Sequence, residues 1–220
     1  MRNFLARWFG GSCFLCRGGT DGLLCAACDA DLPRLTGPRC PRCALDSPRG
    51  ELCGRCLREP PHYDATSAAL AYEFPADVLV QALKFRGELA LAEYLAGILG
   101  PCITDREVDS VIAVPLSAAR LRSRGYNQSV EIARSMTKKL DLALCVRSRD
   151  TPAQMDLPFA QRRRNVRGAF RCTRAILGAR VAVVDDVMTT GETLNEIAAV
   201  LKNAGAARVV NWVVARTFPS

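Results

Sequence analysis

Val181-Ala182-Val183-Val184-Asp185-Asp186-Val187-Met188-Thr189-Thr190-Gly191-Glu192-Thr193 is the stretch that decides how this chain folds. Its first four residues are apolar and three of them are β-branched, the pattern of a buried parallel strand. Two carboxylates follow, then a Thr/Gly turn, then a helical repeat from about Glu192 to Ala204. This order delivers two acids at the carboxyl end of a strand, beside a helix amino terminus. Such a terminus carries unpaired N–H groups and the positive end of the helix dipole, so it attracts a phosphate. The acids can accept hydrogen bonds from adjacent ribose hydroxyls or hold a hydrated Mg²⁺. A phosphorylated ribose meets both halves at once. A capping box, with Thr189 as N-cap and Glu192 three residues on, accounts for those two residues. It leaves Asp185-Asp186 and Gly191 unexplained.

Working outward, Ser67–Phe74 reads as a strand, and Pro75–Phe85 and Glu88–Leu99 as amphipathic helices broken at Gly87. Asp109–Val114 reads as a strand ending at Pro115, Asn127–Leu140 as a helix, and Arg208–Ala215 as a last strand. Cys145–Val166 has no clear period. Strands alternating with helices predict an open, mostly parallel sheet with helices on both faces and ligands at the carboxyl ends of the strands. Two long loops then share the rim with Asp185. One runs from Val114 through Arg120, Arg122, Arg124 and Gln128; the other begins at Thr151-Pro152-Ala153-Gln154 and continues through Arg162-Arg163-Arg164 to Phe170. Long irregular loops in compact domains are commonly functional, and cations on this rim suit a pyrophosphate group.

Ahead of this region stand four C-x-x-C pairs: Cys13/Cys16, Cys25/Cys28, Cys40/Cys43 and Cys53/Cys56. A C-x-x-C turn sets two thiolates on one side of a metal, and two turns complete a tetrahedral zinc site. Disulfides are the rival, disfavoured where thiols stay reduced. Pairing neighbours gives two consecutive ribbons, one held by Cys13, Cys16, Cys25 and Cys28, the other by Cys40, Cys43, Cys53 and Cys56. Crossed pairing would close longer loops, at roughly 0.6 kcal/mol per doubling of length. The division expected is a double zinc-ribbon module over 1–60 and an α/β domain over 61–220, with two structural Zn²⁺ ions. Cys102, Cys145 and Cys172 stand apart.

The 220-residue chain carries a net charge of +8, unevenly spread: Pro115–Ala175 holds fourteen Lys/Arg against four Asp/Glu. A basic segment beside a phosphate motif suits a polyanion, either pyrophosphate or a nucleic-acid backbone. No apolar run reaches membrane-spanning length and the first residues lack the apolar core of a signal peptide, so a cytoplasmic location is expected.

The Val181–Thr193 run resembles the 5-phosphoribosyl-1-pyrophosphate (PRPP) signature of type I phosphoribosyltransferases. More narrowly, the chain resembles the ComF/GntX (competence protein F) family. The resemblance rests on the paired C-x-x-C turns, Leu83-Lys84-Phe85-Arg86-Gly87, Val114-Pro115-Leu116, Arg124-Gly125-Tyr126-Asn127-Gln128, Thr151-Pro152-Ala153-Gln154, Arg162-Arg163-Arg164-Asn165-Val166 and Asp185–Gly191. It implies that Asp185 and Asp186 hold the ribose hydroxyls while Thr189, Thr190, Gly191, Glu192 and Thr193 wrap the 5′-phosphate, with Mg²⁺ accompanying PRPP. It also places Leu116 and Ser117 in the pyrophosphate loop. Arg120, Arg124, Arg162, Arg163 and Arg164 are candidate leaving-group clamps, because guanidinium forks match phosphate oxygens. In 6-oxopurine enzymes an Asp occupies the position of Thr189, which disfavours that substrate class. The only histidine, His62, lies beside Pro60-Pro61, and no lysine falls between Lys139 and Lys202. Two functions fit: phosphoribosyl transfer to a nucleobase-like acceptor, or a non-catalytic PRPP- or nucleotide-gated factor that binds single-stranded DNA and works with DNA-uptake machinery.

Overall fold

The computed structural model describes residues 11–149 and 166–218. Thr151–Gln154 and Arg162, Arg163 and Arg164 lie outside the described residues. A short hairpin, β1 (Gly11–Ser12) with β2 (Gly19–Thr20), and two single-turn helices, α1 (Ala26–Ala30) and α2 (Gly54–Arg58), accompany the cysteine turns. From there the order is β3 (Ala65–Ala71), α3 (Ala76–Phe85), α4 (Ala90–Cys102), β4 (Ser110–Ala113), α5 (Ala118–Arg124), α6 (Gln128–Met136), β5 (Cys145–Arg147), β6 (Phe170–Cys172), β7 (Arg180–Met188), α7 (Glu192–Asn203) and β8 (Arg208–Arg216).

Four strands form a parallel sheet in the order β3-β8-β7-β4. The two central strands are apolar on both faces because both faces are covered, as parallel sheets require. Ala182, Val184, Val210, Trp212 and Val214 pack with Leu79 and Leu83 of α3, Leu95 of α4 and Ile132 of α6. Val181, Val183, Val209 and Val213 pack on the other side with Leu194, Ile197 and Leu201 of α7. Side chains alternate between the faces with period two, so one short sequence serves both cores.

Both sheet edges are occupied. Along β3, Ala71 N–H donates to Pro33 O (2.8 Å) and Leu35 N–H to Ala69 O (2.9 Å), so the chain between the two cysteine quartets lies against the edge strand. Along β4, Val111 N–H donates to Lys139 O and Asp141 N–H to Val111 O. Covering unpaired backbone groups this way removes the hazard of an open edge.

Several boundaries differ from the sequence reading, each for a tertiary reason. β7 extends beyond Val184 to Met188 because β8 pairs with it as far as Met188↔Arg216, so both acids lie within the strand. α6 stops at Met136 with Thr137 extended, which frees Leu140 to bridge Val111. Much of the expected loop after Leu116 is α5, capped by Ser117 and closed by Gly125 at φ 81°. Part of the stretch without a period is β5, which gains its order by pairing with β6.

The core makes a direct prediction. Leu95 is fully buried in α4, whereas Leu177 is 86% exposed. In thermal or denaturant unfolding, Leu95→Ala should cost about 2–5 kcal/mol. Leu177→Ala should stay within about 0.5 kcal/mol of the parent.

Candidate ligand site and cysteine quartets

β7 carries Asp185 and Asp186 to the carboxyl rim of the sheet, where helices of one layer meet them. Ser129, at the start of α6, donates its hydroxyl to Asp185 Oδ1 (3.0 Å). Lys84, from the end of α3, places Nζ 2.9 Å from Asp186 Oδ2 with both side chains nearly buried. Among the described residues Asp186 Oδ2 has no partner besides Lys84. Burial, then the Asp186 charge beside it, pushes the Asp185 carboxyl up to about 7; Lys84 and Ser129 pull the other way. Burial also opposes the charge on Lys84, but Asp186 and then Asp185 outweigh it and hold the ammonium above its usual range.

A cavity of ≈ 630 Å³ opens in front of Asp185 and Lys84, with Asp186 behind its wall, within the size range of small-molecule sites. Asp185, Thr189, Thr193, Leu116, Arg120 and Arg124 line it, together with Lys84, Phe85, Tyr72 and Arg147. Arg124 stacks over Phe85 with its guanidinium carbon 5.1 Å from the ring centroid. Cations thus outnumber acids on the wall, which suits an anionic ligand.

The remaining predicted residues have other neighbours. Ser117 is the N-cap of α5 and accepts from Arg120 N–H (3.3 Å). Thr190, Gly191 and Glu192 line a small cleft of ≈ 80 Å³ against Cys43, Cys56 and Arg55. The capping box is not formed: Gly191, at φ 86°, is the N-cap of α7 and no side chain caps the helix there. His62 is exposed in that same cleft, its backbone N–H donating to Asn195 Oδ1.

Lys84 stands in the Leu83–Gly87 motif of the sequence, but its place beside Asp186, 102 positions further on, appears only in the fold. A signal was present: Lys84 follows directly on the buried Leu79, Val80, Ala82 and Leu83 of α3. A lysine that close to an apolar helix face needs a buried partner.

The cysteines form two quartets of consecutive half-sites, Cys13, Cys16, Cys25, Cys28 and Cys40, Cys43, Cys53, Cys56, with all four sulfurs of each within 4.8 Å of one another. Individual Sγ···Sγ separations are 3.7 Å for Cys16–Cys25 and 3.6 Å for Cys43–Cys53. Tetrahedral zinc with Zn–S near 2.3 Å requires about 3.8 Å between sulfurs, so both quartets fit the ion. Backbone N–H groups of Gly18 and Cys53 point at Cys16 and Cys40 sulfurs (3.4 Å each), the donors that thiolates accept. Without a cation the thiols cannot all ionise together. Backbone donation, led by the Cys16 N–H, lowers Cys13 to about 6. Hydrogen bonding to Cys16 and then Cys25 raises Cys28 to about 12. Four protein donors leave no open coordination position, the mark of structural zinc.

A parallel sheet with an acid pair at its carboxyl rim, preceded by two four-cysteine centres, defines the class: a phosphoribosyltransferase-type α/β domain joined to a double zinc ribbon. Residues 4–57 match the double zinc ribbon domain and residues 89–217 the phosphoribosyl transferase domain. DNA utilization protein YhgH of Escherichia coli is 34% identical over 228 residues, covering 94% of this chain and 98% of its own. Competence protein F of Haemophilus influenzae is 30% identical over 230 residues, covering 96% of this chain and all of its own. Competence protein ComFC of Streptococcus pneumoniae is 24% identical, covering 89% of each. The chain belongs to the ComF/GntX (competence protein F) family. Among the described residues no helix is long and apolar enough to cross a membrane.

Metal analysis of the purified chain should return about two zinc ions, one per closed four-coordinate site. A fully loaded protein holding one ion would refute the pair of independent centres.

Proposed function

We propose that the cavity in front of β7 binds PRPP or a closely related ribose phosphate with Mg²⁺. The observation that carries this reading is the buried acid pair at the carboxyl end of β7, directly ahead of the amino terminus of α7. The positive end of a helix dipole favours an anion such as a 5′-phosphate. Asp185 and Asp186 would accept the ribose hydroxyls, since each carboxylate oxygen can take more than one donor. With the ligand, these two carboxylates are also the groups that would hold Mg²⁺, which neutralises pyrophosphate charge when bound. Lys84 holds Asp186 in place for that task through their 2.9 Å ion pair. Arg120, Arg124 and Arg147 face the cavity where the pyrophosphate would project, with Thr189 and Thr193 on the phosphate side. Ser117 serves this loop as the cap that sets the direction of α5.

Phosphoribosyl transfer is the reaction such a ligand serves, and the cationic wall would stabilise charge on the departing pyrophosphate. The names of the relatives point to DNA utilization and competence, so we place this activity or binding event in the handling of imported DNA. The alternative role, a ligand-gated single-stranded DNA factor without chemistry, draws on the fourteen cations of Pro115–Ala175. Pyrophosphate release from PRPP, screened against nucleobase-like acceptors, separates the two.

Calorimetry with Mg²⁺ and PRPP tests the site itself. Replacing both Asp185→Asn and Asp186→Asn removes two charge-assisted acceptors, each worth roughly 1.5–3 kcal/mol. Unchanged affinity in a folded double variant would place the ribose elsewhere.

The raised Asp185 carboxyl also fixes a pH dependence. Its folded value, about 7, lies above the ordinary 3.8. Its favourable contribution to stability is therefore complete below pH 3.8 and lost as pH rises to about 7. A ligand that needs the ionised form must expel the proton, so affinity should rise from about pH 6 to 8 with proton uptake by the buffer near neutrality. Calorimetry in buffers of different ionisation enthalpy measures that release. The Asp185→Asn variant should lose the part due to this carboxyl and keep only the ligand's own titration; identical proton counts in the two proteins would contradict the assignment.

A further inference from the structure

Arg216 ends β8 and is 2% exposed. Its guanidinium meets no carboxylate among the described residues. Instead Nε donates to Cys43 O (3.0 Å), while Nη1 donates to Met188 O (2.9 Å), Thr217 O (2.8 Å) and Thr189 O. One buried side chain therefore joins the second cysteine quartet to the first residues of the ligand loop. A buried cation held only by carbonyl dipoles is costly unless an anion lies close by. The second quartet, which Arg216 touches through the Cys43 carbonyl, supplies one when its thiolates hold a cation. With four thiolates and one Zn²⁺, such a centre carries a net charge of about −2.

Two further contacts cross the same boundary. Arg55, from α2 between Cys53 and Cys56, donates Nη2 to Thr190 O (3.0 Å) and stands 3.7 Å from Glu192 Oε1. Tyr63 presses on the loop: a Cβ added at Gly191 would lie 3.0 Å from the Tyr63 hydroxyl and 2.7 Å from Met188 Cε. Gly191 also needs its positive φ, so the loop has little freedom to move away. The carbonyls of Thr189 and Thr190 are thus pulled toward the quartet by Arg216 and Arg55. Because a trans peptide sets its N–H opposite its C=O, holding these carbonyls back turns the N–H groups of Thr190 and Gly191 away from the quartet. Among the described residues the first quartet has no such link; its neighbours are α4, through Tyr94 and Asp29, and the apolar layer of α3.

We propose that the second cysteine quartet, acting through Arg216 and Arg55 as positioning residues, sets the conformation of the Thr189–Glu192 loop. Loading of that quartet then controls ligand affinity, whereas the first quartet does not. The link to affinity rests on the ribose-phosphate reading above; the control of loop conformation does not.

Hydrogen exchange on the zinc-loaded, full-length protein tests the loop without any ligand. In Cys53→Ser/Cys56→Ser, amides of Thr190–Thr193 should exchange about tenfold faster or more, while amides of α4 and α6 keep their protection. In Cys16→Ser/Cys25→Ser the loop amides should be unchanged. Should the double-serine proteins fail to fold, Arg55→Ala decides: Arg55 is partly exposed, so zinc content should stay at two and loop exchange should still accelerate several-fold. Arg55→Lys should restore part of the protection. Loop exchange that matches the parent in Arg55→Ala, or that rises equally in both cysteine pairs, overturns the proposal. A separate titration then reads the link to ligand. PRPP should slow chelator-driven loss of one zinc and not the other, as reciprocal coupling demands. PRPP failing to bind the parent protein counts against the ribose-phosphate reading alone, because the exchange result stands without it.

Discussion

The pairing of β7 with β8 is the interaction on which the rest of the molecule depends. Each strand places alternate residues into two cores at once, so their register fixes which helices can cover which face. Slipping that register by one residue would exchange the two apolar sets and carry Asp185 and Asp186 to new positions. The same ladder runs on to Met188↔Arg216. Its last rung therefore sets both the start of the ligand loop and the cation that holds it, and the acid pair is only as well placed as that pairing.

Electrostatic tension is concentrated at the rim. Two adjacent carboxylates are buried, and Lys84 compensates one of them by direct contact. Asp185 stays partly protonated near neutrality for want of an equal partner. Removing one member of a buried ion pair commonly costs about 3–5 kcal/mol because the survivor is left uncompensated. Lys84 thus belongs to the stability of the domain as much as to the chemistry of the site.

The cysteine quartets are part of the body and not an appendage to it. Cys13 lies in the core layer with Leu79 and Leu95, and Cys40, Cys43 and Cys56 in the layer with Met188, Leu194 and Val213. Each quartet therefore borrows one face of the sheet as its apolar support. The chain joining them, Pro33–Leu35, completes the edge of β3. The second quartet also reaches the Thr189–Glu192 turn, through Arg55 and Arg216.

Local pattern in the sequence determined what short-range physics can determine. The β-branched run of Val181–Val184 makes a strand, Gly191 makes the turn after it, and four C-x-x-C spacings make two closed thiolate centres, because each depends only on residues close in the chain. The type of most elements and the rim bearing the acids followed from that. Tertiary structure alone decided the partners. Lys84 meets Asp186 from a distant helix, β5 exists because β6 pairs with it, and Thr190 faces Arg55 from 135 residues away. Arg216 and Cys43 are separated by 173 residues and joined by one hydrogen bond. No periodicity encodes such contacts, since burial and charge compensation act between surfaces that exist only once the sheet has formed.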